Sequence, residues 1–344
     1  MTIILFILIL GIIVFIHELG HFIFAKKAGV YVYEFSLGFG PKLFSFKRKN
    51  DETEYMVRLI PLGGYVSMAG EEDLDEDNKV PDDQRLCNKS WTRRLLVMVA
   101  GVINNFILGF VLLFIMGLIY GTTSTTNTLD SIPESGALYK AGARNGDVVT
   151  KINDKKVKNY DDIQTYLALV KEGDAININI KNKDGVENTY KVKPEKNSED
   201  GKYYYGISIK VKTDKGFLPA LKYAKEKFVS IYKIMIITIK SLFTGELGFD
   251  SLSGPVGIYN VVDTVKGSLQ MILYLTAYLS INIGFMNLLP FPAFDGGRAF
   301  LLIIETGGQV YRILVLDKPG FLLETLVLGV KDIIHKVVLQ QAGH

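Results

Sequence analysis

From Ile3 to Ile16 the chain carries no polar side chain, and this run leads directly into His17-Glu18-Leu19-Gly20-His21. Ile3 to Ala25 as a helix measures roughly 34 Å, against a bilayer hydrocarbon core of about 30 Å. The chain therefore begins with a segment able to span a membrane, and that segment carries three ionisable side chains within five residues. Such groups are costly in hydrocarbon and tend to serve a function. A cleaved signal peptide is the alternative, but the start is not basic, no small-residue cleavage site follows, and the apolar pattern continues through Phe22-Ile23-Phe24.

On a helix, positions four apart share a face, so His17 and His21 can direct ring nitrogens at one ion while Glu18 stands beside it. Two neutral imidazoles and one further ligand leave a tetrahedral zinc ion a position for water, and a neighbouring carboxylate can take that water's proton. Glu18 is the candidate base. The bland reading is a five-residue coincidence on an ordinary helix, and the membrane setting weighs against it. The single cysteine, Cys87, excludes an internal disulfide framework and a thiolate zinc site. The histidines are His17, His21, His335 and His344, so the third ligand is either one of the last two reaching back or, preferably, a carboxylate. Hydrophobic residues make up 48% of 344, as suits a membrane protein, and a net charge of +3 is too small to suggest nucleic acid.

Lys26 and Lys27 place the end of the first span in the cytoplasm by the positive-inside rule. Residues 26–94 then read as strands and turns, with Val30 to Tyr33 and Tyr55 to Ile60 β-branched and aromatic and glycines and prolines between them. Ile60 to Val66 is too apolar for a solvated loop. It is either a hairpin dipping into the bilayer edge or an ordinary cytoplasmic hairpin; in the first case its strand edge could pair with an unwound substrate. Glu71 to Asp83 is an acidic, solvated loop. Residues 95–120 form the second span, after basic Lys89, Arg93 and Arg94, and its strongly polar members are Asn104 and Asn105. These are either hydrogen-bonding glue between helices or part of the site.

Residues 122–212 lose the long apolar runs and read as a separate domain. Residues 213–268 hold apolar positions at spacings of three and four with lysines between, which predicts an amphipathic helix on the outer membrane surface, with a true span as the alternative. Residues 269–305 form the third span. Met271 to Leu289 is apolar except for residues such as Asn282 and Asn287, and Pro290-Phe291-Pro292 then breaks it beside a polar site. Asp295 is the natural third ligand; the alternative is that it caps the helix resuming at Gly296.

His17 to His21, Pro61 to Val66, Ala100-Gly101 with Asn105-Phe106, Gly254 to Ile258, and Asn287 to Pro292 through Asp295-Gly296 together resemble the site-2 protease family (M50). The nearest subgroup is the bacterial RseP-type regulators of sigma-E protease. Small residues, a Gly-Asp turn and an alternating strand over Ser135 to Asp154 resemble a PDZ domain, here single. The resemblance covers residue 1 to about 305. It implies a polytopic α-helical membrane protein of three to four transmembrane helices, with a membrane-associated β-loop and an extracytoplasmic PDZ-like α+β domain. It also implies a zinc endopeptidase of the bacterial cell membrane, its active site near the cytoplasmic side. Its expected substrates are single-span transmembrane segments already trimmed by another protease, such as anti-sigma factors or remnant signal peptides. The family's zinc ligands fall on His17, His21 and Asp295 and its base on Glu18. Asn287, Pro290, Gly63, Gly64 and Asn105 fall among positions expected to handle substrate.

Two departures stand out. Phe294 replaces the usual leucine before the aspartate, an exchange that stays apolar. Residues 306–344 are less hydrophobic than a last span should be, with Glu324, Lys331, Asp332, His335 and Lys336 inside Phe321 to Leu339. That segment is expected to be an amphipathic helix or a span supported by its neighbours, with His335 on its surface. Two other classes are weighed. A silent PDZ-bearing scaffold would have no need of His17, Glu18, His21 and Asp295 together, and a zinc transporter would show an internal repeat or a chain of intramembrane carboxylates.

Overall fold

A computed structural model describes residues 1–71, 79–196, 201, 203–245 and 254–305. The expectations for the acidic residues 72–78 and for 306–344, His335 included, lie outside them. The elements, in order, are α1 (Thr2–Ala28), β1 (Val32–Lys47), β2 (Glu54–Met68), α2 (Trp91–Tyr120), β3 (Thr122–Leu129), α3 (Ala137–Lys140), β4 (Val148–Ile152), β5 (Lys155–Lys156), α4 (Tyr160–Ala168), β6 (Ile176–Lys181), β7 (Glu187–Val192), β8 (Glu195–Lys196), β9 (Tyr203–Tyr204), β10 (Ile209–Asp214), α5 (Phe217–Phe243), α6 (Pro255–Val265), α7 (Leu269–Leu288) and α8 (Asp295–Glu305).

Among the described residues, α1, α2 and α7 are long and apolar enough to cross a membrane. α1 has 27 residues and stops where Gly29 takes the left-handed conformation and returns its N–H to Ala25 and Lys26. α2 lies between α1 and α7. Glycines let the helices approach: a Cβ at Gly20 would stand 2.5 Å from the Ala100 carbonyl oxygen, and one at Gly109 would stand 2.5 Å from Ile281 Cγ1. Phe6, Ile9 and Ile13 of α1 pack with Leu275 and Leu279 of α7 and Val262 of α6.

The strands β1 and β2 are long and folded back on themselves. Residues Tyr55–Val57 pair with Phe44–Phe46 and also with Phe35–Leu37, while Phe35–Leu37 also pair with Val66–Gly64. Two strands thus build a four-segment ribbon. Val30, Val32, Phe35, Val66 and Met68 bury its inner face against Ala25 and Ala28 of α1 and Val97 of α2. At its base, Lys26 of α1 donates to Asp51 at 2.7 Å and Glu52 at 2.6 Å. Burial alone would raise the Asp51 pKa; the hydrogen bonds from Lys26 and Tyr55 outweigh it and hold the carboxyl well below the usual carboxylate range.

Residues 122–214 fold around a core of their own. The sheet runs β10-β3-β4-β6-β7, with β5 paired to β4. Strand β6 alternates buried Ile176, Ile178 and Ile180 with more exposed asparagine and lysine, the period of a sheet with one covered face. These isoleucines pack with Val149, Ile152, Leu138 and Ile163. Asn153 and Asp154 both take positive φ in the tight turn from β4 to β5.

Within residues 213–268, α5 runs lengthwise beside α2: Phe114 meets Phe217, the Gly117 backbone meets Ala220, and Phe106 meets Phe228 and Tyr232. Phe106, Phe110 and Phe114, four apart on one face of α2, supply an aromatic stripe that the lysine pattern of α5 could not reveal. Two of those lysines are neutralised by the neighbouring domain, Lys227 on Asp161 and Lys233 on Asp162, both at 2.6 Å.

Candidate active site

The final turns of the apolar stretch of α1 bring His17 and His21 to one face, and both rings are buried. Their Nε2 atoms are 3.3 Å apart. The third member arrives from the far end of the described chain. Helix α7 ends at Leu288, the backbone turns through Pro290 and Pro292, and α8 begins at Asp295. The turn closes tightly because Gly296 and Gly297 have no side chains: a Cβ there would stand 2.1 Å from the Leu288 oxygen and 1.9 Å from the Phe291 oxygen. So held, Asp295 Oδ2 lies 3.0 Å from His17 Nε2 and 3.2 Å from His21 Nε2. The aspartate is the first residue of its helix, and its oxygen faces the two rings.

The chemistry of this triangle calls for a cation. His21 Nδ1 is 2.8 Å from the Val97 carbonyl oxygen, which can only accept, so Nδ1 carries the proton and Nε2 of the neutral ring presents a lone pair. Asp295 Oδ2 is buried with no hydrogen-bond partner. Two acceptor atoms therefore converge on one point. Tetrahedral zinc with ligands at about 2.0 Å spaces its donors about 3.3 Å apart, which the observed 3.0, 3.2 and 3.3 Å edges match closely. The donor set fits zinc, and the Val97 carbonyl on His21 Nδ1 is the support that metal-bound imidazoles ordinarily have.

The surroundings close the site on several sides. A Cβ at Gly101 of α2 would stand 2.4 Å from His21 Nε2 and 2.7 Å from His17 Nε2, so the bare backbone of α2 forms a wall against both rings. Glu18 is within electrostatic reach of His21, His17 and Asp295. The β-ribbon abuts Glu18: a Cβ at Gly64 would stand 3.0 Å from Glu18 Cγ and 2.7 Å from the Ser36 oxygen. Gly63, at φ 125°, lies under the Phe39 ring. Arg298 of α8 donates to Glu71 just beyond β2, tying the aspartate's helix to the ribbon.

His17, Glu18, His21 and Asp295 are thus brought together, with Gly63 and Gly64 beside them. Asn287 is half-buried near the end of α7, and Pro290 is exposed in the break. Asn105, expected among substrate contacts, is fully buried with its amide on His17. Asn104 is glue, donating to the Ile16 carbonyl of α1 at 3.2 Å. Sequence reasoning did not identify the Val97 carbonyl or the wall at Gly101. A backbone carbonyl carries no residue signature; Gly101 was picked out only as part of the Ala100-Gly101 motif, without a role.

Residues 5–313 match the family described as Peptidase family M50. The chain belongs to peptidase family M50. Among its relatives, the regulator of sigma-W protease RasP of Bacillus subtilis strain 168 is 32% identical over 88% of this chain and 90% of its own length. The zinc metalloprotease RasP of Bacillus licheniformis is also 32% identical, again over 88% of this chain and 90% of its own length. This M50 protein is a membrane zinc metalloprotease of the site-2 type, and its cofactor is Zn2+.

Proposed function

We propose that this peptidase cuts peptide bonds within the transmembrane segments of single-span membrane proteins, with His17, His21 and Asp295 as zinc ligands and Glu18 as the general base. The observation that carries the reading is the buried triangle of ligand atoms, 3.0 to 3.3 Å on a side, set between helices of membrane-spanning length. Zinc, when bound, supplies Lewis acidity to the scissile carbonyl and acidifies water. Glu18 takes the proton of the attacking water and delivers it to the leaving amine, while the Val97 carbonyl keeps the His21 ring in the orientation the site needs.

A helical substrate sheathes its carbonyls in its own hydrogen bonds, so it must be unwound to react. The edge of β2 at Gly64–Met68, which abuts Glu18, supports pairing with an extended substrate by strand addition. Gly63 and Gly64 are assigned to that edge, and Asn287 and Pro290, at the broken end of α7, to holding the substrate. The lysines after α1 and before α2 support a cytoplasmic position for the ribbon and an extracytoplasmic one for residues 122–212. That domain, read as a PDZ-like unit, acts as a filter that admits substrates already shortened by another protease, such as anti-sigma factors or remnant signal peptides.

The test is zinc content together with cleavage of a single-span substrate in detergent. Glu18→Gln should retain one zinc per chain and lose cleavage by about 10²- to 10⁴-fold. Asp295→Ala should lose zinc and cleavage together. Zinc that survives Asp295→Ala would move the third ligand elsewhere.

A further inference from the structure

Asn105 is fully buried in α2, and its amide faces the zinc-site histidine that Val97 does not support. Its Nδ2 stands 3.2 Å from His17 Nδ1, and its Oδ1 is buried without a partner. The residue is fixed from the other side as well: Ser280 of α7, fully buried, donates its hydroxyl to the Asn105 backbone carbonyl at 2.8 Å. Asn105 therefore joins α1, α2 and α7 at the depth of the site, with no exposed surface to offer a substrate.

Oxygen and nitrogen of an asparagine amide are assigned from the hydrogen bonds they make. The two orientations put His17 in opposite tautomers. With Nδ2 on His17 Nδ1, the ring proton sits on Nε2, on the face that looks at Asp295 and His21. With Oδ1 on His17 Nδ1, the proton sits on Nδ1 and the Nε2 lone pair is free. One amide atom is left unpaired in either orientation, so the demands of the ring decide, and the second matches the arrangement Val97 imposes on His21.

We propose that Asn105 is a positioning residue, its side-chain carbonyl accepting the Nδ1 proton of His17 and so aiming the Nε2 lone pair at the metal position. The two imidazoles are then supported by one helix, His21 by the Val97 backbone and His17 by the Asn105 side chain two turns on. Only the second can be altered by substitution. This assignment rests on His17, His21 and Asp295 being the ligands.

The test measures zinc affinity by chelator competition on purified full-length protein in detergent, with cleavage kinetics in parallel. Asn105→Leu keeps the volume and removes the acceptor, and should weaken zinc binding about 10- to 100-fold. Asn105→Asp, which can only accept, should restore affinity to within a few-fold of wild type, a rescue that a merely structural role does not predict. Asn105→Ala replaces the leucine variant if that one fails to fold. Wild-type affinity in the acceptor-less variant overturns the proposal, as does failure of aspartate to rescue. A raised KM with unchanged zinc affinity overturns it in favour of substrate contact. Asp295→Ala is the control: if it keeps zinc, the ligand assignment fails, whereas zinc lost there and kept in Asn105→Leu removes the role of Asn105 alone.

Discussion

The domain over residues 122–214 and the helices α1, α2 and α7 are both rich in large apolar side chains, yet they place them oppositely. In the domain, Ile176, Ile178 and Ile180 point inward and the intervening polar residues outward. In the helices many of the largest side chains point away from the protein, among them Ile4, Leu8 and Ile107, all more than half exposed. Between the helices, large side chains such as Ile13 and Leu279 are joined by glycines at the points of closest backbone approach, Gly20, Gly101 and Gly109. Water drives the first arrangement. In a bilayer, hydrocarbon is as apolar as leucine, so burial gives no drive and close backbone approach takes its place. A glycine in the helices is thus the counterpart of an isoleucine in the sheet.

The sharpest way to break this comparison is Gly101→Ala. Adding one methyl to a sheet surface is a minor change, but here it would stand against both imidazoles. The variant is expected to weaken zinc binding by at least about tenfold, read as metal content after dialysis against a chelator. Unchanged zinc would mean that the α1 and α2 backbones separate at little cost. Next comes Ile178→Ala, expected to destabilise the sheet domain by about 2 to 5 kcal/mol while leaving zinc in place. The same truncation at Leu8 should shift stability by less than about 0.5 kcal/mol in detergent. Thermal melts of the two variants decide, and equal effects would erase the distinction between the regions.

A further, modest effect tests how the regions are joined. Lys233→Ala removes the partner of the buried Asp162 carboxylate, which still accepts from the Lys158 N–H at 2.9 Å. The lysine is partly exposed, so the loss should be about 1 kcal/mol. It should appear as faster hydrogen exchange in α4, with exchange in β6 unchanged. Exchange in α4 at the wild-type rate would show that the Lys227–Asp161 pair holds the domain without Lys233.

What could be read from the sequence follows the range of the physics involved. His17, Glu18 and His21 were legible because helix periodicity alone sets their relation. Asp295 was legible because two prolines in an apolar segment call for a polar neighbour. The position of α5 was not legible, because its lysines are satisfied by Asp161 and Asp162, carboxylates from a different part of the chain. Asn105 was visible as a polar residue in a span, but its partner was not, since either ring or neither could have been within reach.

The sequence by itself determined which segments are apolar enough to leave water, which residues carry metal-binding chemistry, and where the third long apolar helix breaks. These depend on composition and on spacings of four residues or fewer, which the backbone converts directly into geometry. The tertiary structure alone decided that α2 walls and supports both rings and that the β-ribbon abuts Glu18. Each of those depends on how close two backbones can come, and that distance is set jointly by glycines lying on different helices and turns.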